Sequence, residues 1–190
     1  MKILAIADQA PKRRLLDIVR AEKIDLICML GDLDFFMLKE LEKITNIPKI
    51  GVYGNHCSGQ YFEPLGITNM HLQIHTFNGL TFGGFEGSVR YKNSTYGKMY
   101  TQEEADILLK DFGHVDVMLS HCPPYGINDE PNALAHQGFH ALRNYVEDQK
   151  PRYLFHSHTY PTDDTLITKY KNTEIIYVFC EMIITLPDII

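Results

Sequence analysis

Six side chains able to bind a metal ion each stand where an apolar run of the sequence ends: Asp8, Asp32, Asn55, His121, His156 and His158. They offer oxygen and nitrogen, and no thiolate. That donor mix suits manganese, iron, zinc or nickel better than a structural zinc held by cysteines. A carboxylate can bridge two divalent cations about 3.5–4 Å apart, and such a pair clamps the attacking and leaving oxygens of a phosphoryl hydrolysis. Gly31 permits a tight turn that aims the Asp32 carboxylate. His156 and His158 are two residues apart, so in an extended strand they point the same way.

A parallel sheet is what must position these groups. Residues 3–7, 26–30 and 47–53 are apolar without alternation, as strands buried on both faces are. Residues 15–23 and 35–44 lie between them with helical spacing. This strand–helix–strand–helix–strand order predicts an α/β fold. Ligands of such sheets bind at the carboxyl ends of the strands, where Asp8, Asp32 and Asn55 all fall.

Further along, residues 72–75 and 80–84 pair across Asn78-Gly79, a strong hairpin signal. Residues 87–100 read as a long exposed loop, and Thr101 with Glu104 makes a capping box for a helix to about residue 112. Residues 115–119 form a strand leading to His121. Residues 132–147 have helical spacing, with Leu134, Leu142, Tyr145 and Val146 inward and His136 and His140 on one face. A short strand at 152–155 leads to His156. Residues 166–170 and 174–180 make a last pair across Lys171-Asn172-Thr173. No linker divides the chain, so one domain over residues 1–190 is expected.

Composition narrows the function. Hydrophobic residues are 45% and charged residues 22%, which excludes a disordered or coiled-coil chain. A net charge of -6 argues against strong nonspecific nucleic-acid binding and against a polybasic membrane binder. No apolar run approaches the length of a membrane span. Four cysteines without a CxxC pair fit a reduced, cytoplasmic setting. No glycine-rich phosphate loop with Lys-Ser/Thr is present. Cys57 or Cys122 with a histidine has nothing in the sequence to orient it for covalent catalysis.

The motifs Asp8, Gly31-Asp32, Gly54-Asn55-His56, His121 and His156-Ser157-His158 resemble those of the calcineurin-like metallophosphoesterase superfamily, in family order over about 150 residues. The run from Ser120 to His158 is most similar to its small phosphodiesterase-like branch. The resemblance implies a four-layer αββα sandwich with two divalent metal ions, manganese first among the candidates. It implies one site from Asp8, Asp32 and His158 and a second from Asp32, Asn55, His121 and His156, with Asp32 bridging. His56 would stabilise the transition state or protonate the leaving oxygen, and a metal-activated water would attack. The implied substrate is a phosphate ester, foremost a small phosphodiester or nucleotide; a homo-oligomer stays open.

Three positions depart from the family pattern. Ala10 stands where a first-site histidine belongs, so that site is expected to hold its ion more weakly or to complete it with water. Cys57 replaces the acid after His56, and Phe155 replaces a late glycine. These gaps keep a second reading in view, a catalytically weak or inactive scaffold of the same fold that binds a protein partner. In the 87–100 segment, Arg90, Tyr91, Lys92 and Tyr96 are the groups for holding and stacking on substrate, with Arg90 the first choice for phosphate. Asn128, Asp129 and His136 are expected on the opposite border.

Overall fold

The computed structural model describes residues 1–93, 97–160 and 166–187. Tyr96 lies outside them. The chain opens with β1 (Lys2–Ala7), α1 (Leu15–Glu22), β2 (Leu26–Met29), α2 (Phe35–Leu38) and β3 (Lys49–Gly51). Next come β4 (Thr68–Asn69), β5 (Ile74–Phe77), β6 (Leu80–Phe85), β7 (Ser88–Val89), β8 (Met99–Tyr100), α3 (Gln102–Leu109) and β9 (Val117–Ser120). The last elements are α4 (His140–Gln149), β10 (Tyr153–His156), β11 (Ile167–Tyr170), β12 (Thr173–Tyr177) and β13 (Cys180–Thr185).

Two sheets stack on each other. One has the order β13-β1-β2-β3-β4, the other β11-β12-β10-β9-β6-β5. Strand alternation explains the layering. Ile3, Ala5 and Ala7 face Phe82, Val117, Leu119 and Phe155 across the space between the sheets. Leu4 and Ile6 turn the other way onto Leu15 and Ile18 of α1 and onto Leu38 and Leu41. On the far side Met118 and Leu154 pack on Ala105 and Leu109 of α3 and Leu142 and Val146 of α4. Helix, sheet, sheet and helix thus form the expected αββα sandwich. Fully burying each of these Leu and Ile side chains contributes about 1.5–3 kcal/mol. Among the described residues, no helix is long and apolar enough to cross a membrane.

The Asn78-Gly79 hairpin forms, with both residues at positive φ (47° and 80°), as a two-residue turn joining twisted strands requires. Thr101 and Glu104 close their capping box on α3. Four expectations need correction. Residues 39–43 tighten into a 3₁₀ turn instead of continuing α2. The 87–100 segment is anchored at both ends, because β7 and β8 pair in parallel and bury Ser88, Val89 and Met99.

The helix expected from residue 132 starts only at His140. Before it, Leu134–His136 is a 3₁₀ turn, and Phe139 bonds back to Pro123 and Tyr125. Gly138 presses against Pro124, where a Cβ would lie 2.5 Å from the Pro124 carbonyl carbon. Leu134 consequently faces solvent at 52% exposure, and His136 and His140 share no helix face. Lastly, Cys180 does not end β12: it begins β13, which crosses to the first sheet and runs antiparallel to β1.

Candidate functional site

The carboxyl ends of β1, β2 and β3 lie side by side, since the three strands are parallel neighbours. The second sheet brings the ends of β6, β9 and β10 to the same rim. Gly87 N–H donates to the Tyr53 carbonyl at 2.8 Å, and Ser157 Oγ donates to the Leu30 carbonyl at 2.9 Å. Asp8, Asp32 and His158 all sit in the left-handed backbone region, with φ of 62°, 51° and 73°. Each such residue costs about 1–2 kcal/mol, least for Asp, and such strain concentrates at functional sites.

His121 is the hub. Its Nδ1 donates to the Leu30 carbonyl at 2.7 Å, which turns Nε2 inward. Nε2 lies 3.1 Å from Asn55 Oδ1 and 3.4 Å from Asp32 Oδ2. Asp8 Oδ1 is 4.0 Å from Nδ1 of the same ring, and Asp8 Oδ2 accepts the His158 N–H at 3.2 Å. His158 gives its Nε2 to the Ala135 carbonyl at 2.8 Å, so its Nδ1 carries the free lone pair.

The donor set fits a divalent cation. Ligand atoms of Asp32, His121 and His158 all lie within 4.8 Å of one another. Ligands about 2.0–2.1 Å from a shared ion sit about 3.0–3.4 Å apart. The Asn55–His121 and Asp32–His121 separations match that spacing. Asn55 is also buried with its Nδ2 lacking a hydrogen-bond partner, a cost that an amide oriented by an ion would offset.

Both ring nitrogens of His156 are engaged by other partners. Its Nδ1 donates to the Ser157 carbonyl and its Nε2 accepts from Asn128 Nδ2, both at 3.1 Å. The positive φ of His158 ends the extended backbone on which the expected shared face of the two imidazoles depends. Arg90 also departs from expectation: its guanidinium donates to Glu104 Oε2 at 2.8 Å and to the Met99 carbonyl at 3.1 Å. Of the bordering residues, Asn128 holds His156, and Asp129 caps the N–H groups of Gly126 and Gly138. His136 packs edge-on against the His158 ring, 5.9 Å between centroids.

The backbone N–H of His56 donates to Asp32 Oδ1 at 2.7 Å, and its exposed ring reaches Tyr91 Oη through Nε2 at 3.4 Å. Cys57 turns inward, accepting from Gly54 N–H at 3.1 Å and contacting Tyr61 Oη at 3.2 Å, so it does not take over orientation of the His56 ring. Ala10 is exposed, and its carbonyl accepts from Cys180 Sγ at 3.2 Å. A cleft of about 680 Å³ opens beside the cluster, and Asn55, His56, Lys92 and Lys98 are among its lining residues. The sequence pattern assigns no role to Ser157 or Lys98. Ser157 reads there as a spacer, although its place between two ligand candidates is a signal.

The buried charges of the rim act strongly on one another. Burial raises Asp8 to about 6, helped by the Asp32 charge. Burial would also raise Asp32, but the His121 charge and its hydrogen bonds pull it down to about 2. Burial opposes charge on His121 as well, yet Asp32 and Asp8 lift it to about 9. His158 is pushed down to about 3 by burial and by the His121 charge. At pH 7 without metal, His121 therefore carries a proton that ligation through Nε2 must remove. Manganese binding is expected to release about one proton per ion engaging His121, and apparent affinity should rise about tenfold per pH unit between 6.5 and 9. Below pH 6 protonation of Asp8 steepens the loss. Titration calorimetry in buffers of different ionisation enthalpy counts the protons; a count of zero would remove His121 from the ligand set.

A family model described as calcineurin-like phosphoesterase matches residues 1–161. The chain belongs to this family. Among solved structures, one superposes with a TM-score of 0.65 at 15% identity, covering 92% of this chain and 89% of that one. The structure of TT1561 of Thermus thermophilus gives 0.62 at 15% identity, over 93% and 88%. Identity this low speaks for the shared fold alone. No curated protein matches the sequence. Calcineurin-like phosphoesterases are metal-dependent hydrolases of phosphate esters, and the rim of this member carries a group able to hold a metal ion.

Proposed function

We propose that this calcineurin-like phosphoesterase is a working enzyme that hydrolyses phosphodiesters, with manganese as its preferred ion. The observation that carries the reading is the convergence of Asn55 Oδ1 and Asp32 Oδ2 on His121 Nε2, at 3.1 and 3.4 Å. Packing alone does not call for an amide, a carboxylate and an imidazole aimed at one point in a buried rim.

Asp32, Asn55 and His121 would hold one ion, and Asp8, Asp32 and His158 the other. His156 joins the first set only by releasing Asn128. When bound, the divalent ions acidify water and offset the negative charge that builds on phosphorus. The chain does the rest. Asp32 fixes the His56 backbone, so the exposed His56 imidazole stands at the cleft wall to protonate the leaving oxygen. Tyr91 Oη orients that ring in place of the missing acid. The cleft is open, which admits an ester substituted on both sides.

The test is hydrolysis of bis-p-nitrophenyl phosphate with added manganese. Wild type is expected to turn over, and Asn55→Ala and His121→Ala to lose about 100-fold or more. Background rates in all three, with metal occupancy confirmed, would favour the scaffold reading.

A further inference from the structure

The cleft is larger than a scissile ester requires. At about 680 Å³ it lies within the range of cavities that enclose a drug-sized ligand. Asn55 and His56 form the wall shared with the metal group, which leaves the remainder for another part of the substrate. Its charge is distinctive in a chain of net charge -6: among the described residues its lining includes two lysines and no carboxylate.

Lys98 is held in place. Its Nζ lies 3.3 Å from Glu86 Oε1 and 5.9 Å from the centre of the Tyr53 ring. Glu86 is buried behind it, takes the Tyr100 hydroxyl at 2.8 Å on Oε1, and has His71 Nε2 at 3.8 Å. A carboxylate fixed in this way removes much of the rotamer freedom that a lysine otherwise loses on binding. The Lys98 side chain still keeps 45% exposure, so its ammonium has donors left for a ligand. Lys92 stands over the Tyr91 ring, 4.9 Å from its centre, and Tyr91 in turn touches His56. A second cation thus lies along the same wall.

We propose that this cleft binds a second phosphate of the substrate through Lys98 and Lys92. The preferred substrate is then a phosphodiester that carries a further phosphate group beyond the bond that is cut. This inference rests on the phosphodiesterase reading.

Two esters that differ only in that group test it: thymidine 5′-(p-nitrophenyl phosphate) and its 3′-phosphorylated form, each with manganese and with products separated by chromatography. The expected result is a kcat/KM about tenfold higher for the 3′-phosphorylated ester, carried by KM. In Lys98→Met and in Lys92→Met the ratio between the two esters should fall toward one, and Lys98→Arg should restore part of it. Equal kcat/KM values in wild type, or a preference that survives in the double lysine variant, would overturn the inference while leaving the phosphodiesterase reading standing. Hydrolysis of neither ester, with bis-p-nitrophenyl phosphate also inert, would overturn both.

Discussion

Asp32→Asn is expected to lower manganese-dependent phosphodiester hydrolysis by about 1000-fold or more. The carboxylate serves two neighbours at once, accepting the His56 N–H on Oδ1 and facing His121 Nε2 with Oδ2. An asparagine keeps the first contact, so the loop that carries His56 should stay in place. It loses the charge, and its amide offers a donor where a cation needs an acceptor. The charge effect dominates because Asp32 is held ionised far below neutral pH. The variant should therefore melt cooperatively like wild type, yet bind manganese weakly by calorimetry. Activity within tenfold of wild type would remove Asp32 from the centre of the site.

The second large effect is steric. Gly54→Ala would place a Cβ 2.5 Å from the Asp32 backbone nitrogen and 2.8 Å from His121 Cε1, as well as against the Asp32 carboxylate. A backbone atom cannot step aside as the tip of a long side chain does. Overpacking of this kind costs about 1–3 kcal/mol and occasionally more. We expect a loss near 3 kcal/mol, which for a chain of this size lowers Tm by about 6–12 °C. The same wedge separates the β2 and β3 loops, so manganese affinity should fall with stability. A variant with unchanged Tm and unchanged affinity would mean that the loops can spread without cost, contrary to the tight approach of Gly31 to Gly54.

How far the sequence reveals this architecture depends on the range of the forces involved. Asp8, Asp32 and Asn55 are legible because apolar runs separated by helical segments force parallel strands, and parallel strands share one rim. The hairpin and the capping box are legible because both are local. The partner of His156 is not, since Asn128, which engages its Nε2, lies in a loop that no local pattern ties to β10. Arg90 misleads for a related reason. One oxygen of Glu104 receives both the Thr101 N–H and the Arg90 guanidinium, at 2.8 Å each, and the second partner is invisible to a capping-box pattern. Leu134 has helical spacing with the residues after it, but the bridge between Pro124 and Phe139 keeps that stretch out of the helix. The change of sheet at Cys180 is hidden because residues 174–186 read as nearly unbroken apolar sequence, with no Gly, Pro or Asn to mark the crossing.

That crossing has a consequence for how the molecule is made. β1 lies between β2 and β13, so its open side waits for a strand made far downstream in the chain. During vectorial synthesis on a ribosome, its free backbone groups present an unprotected edge of the kind that templates aggregation. Asp8 follows directly on that strand, so the nascent chain acquires its finished cation cradle only when residues 180–185 have cleared the exit tunnel.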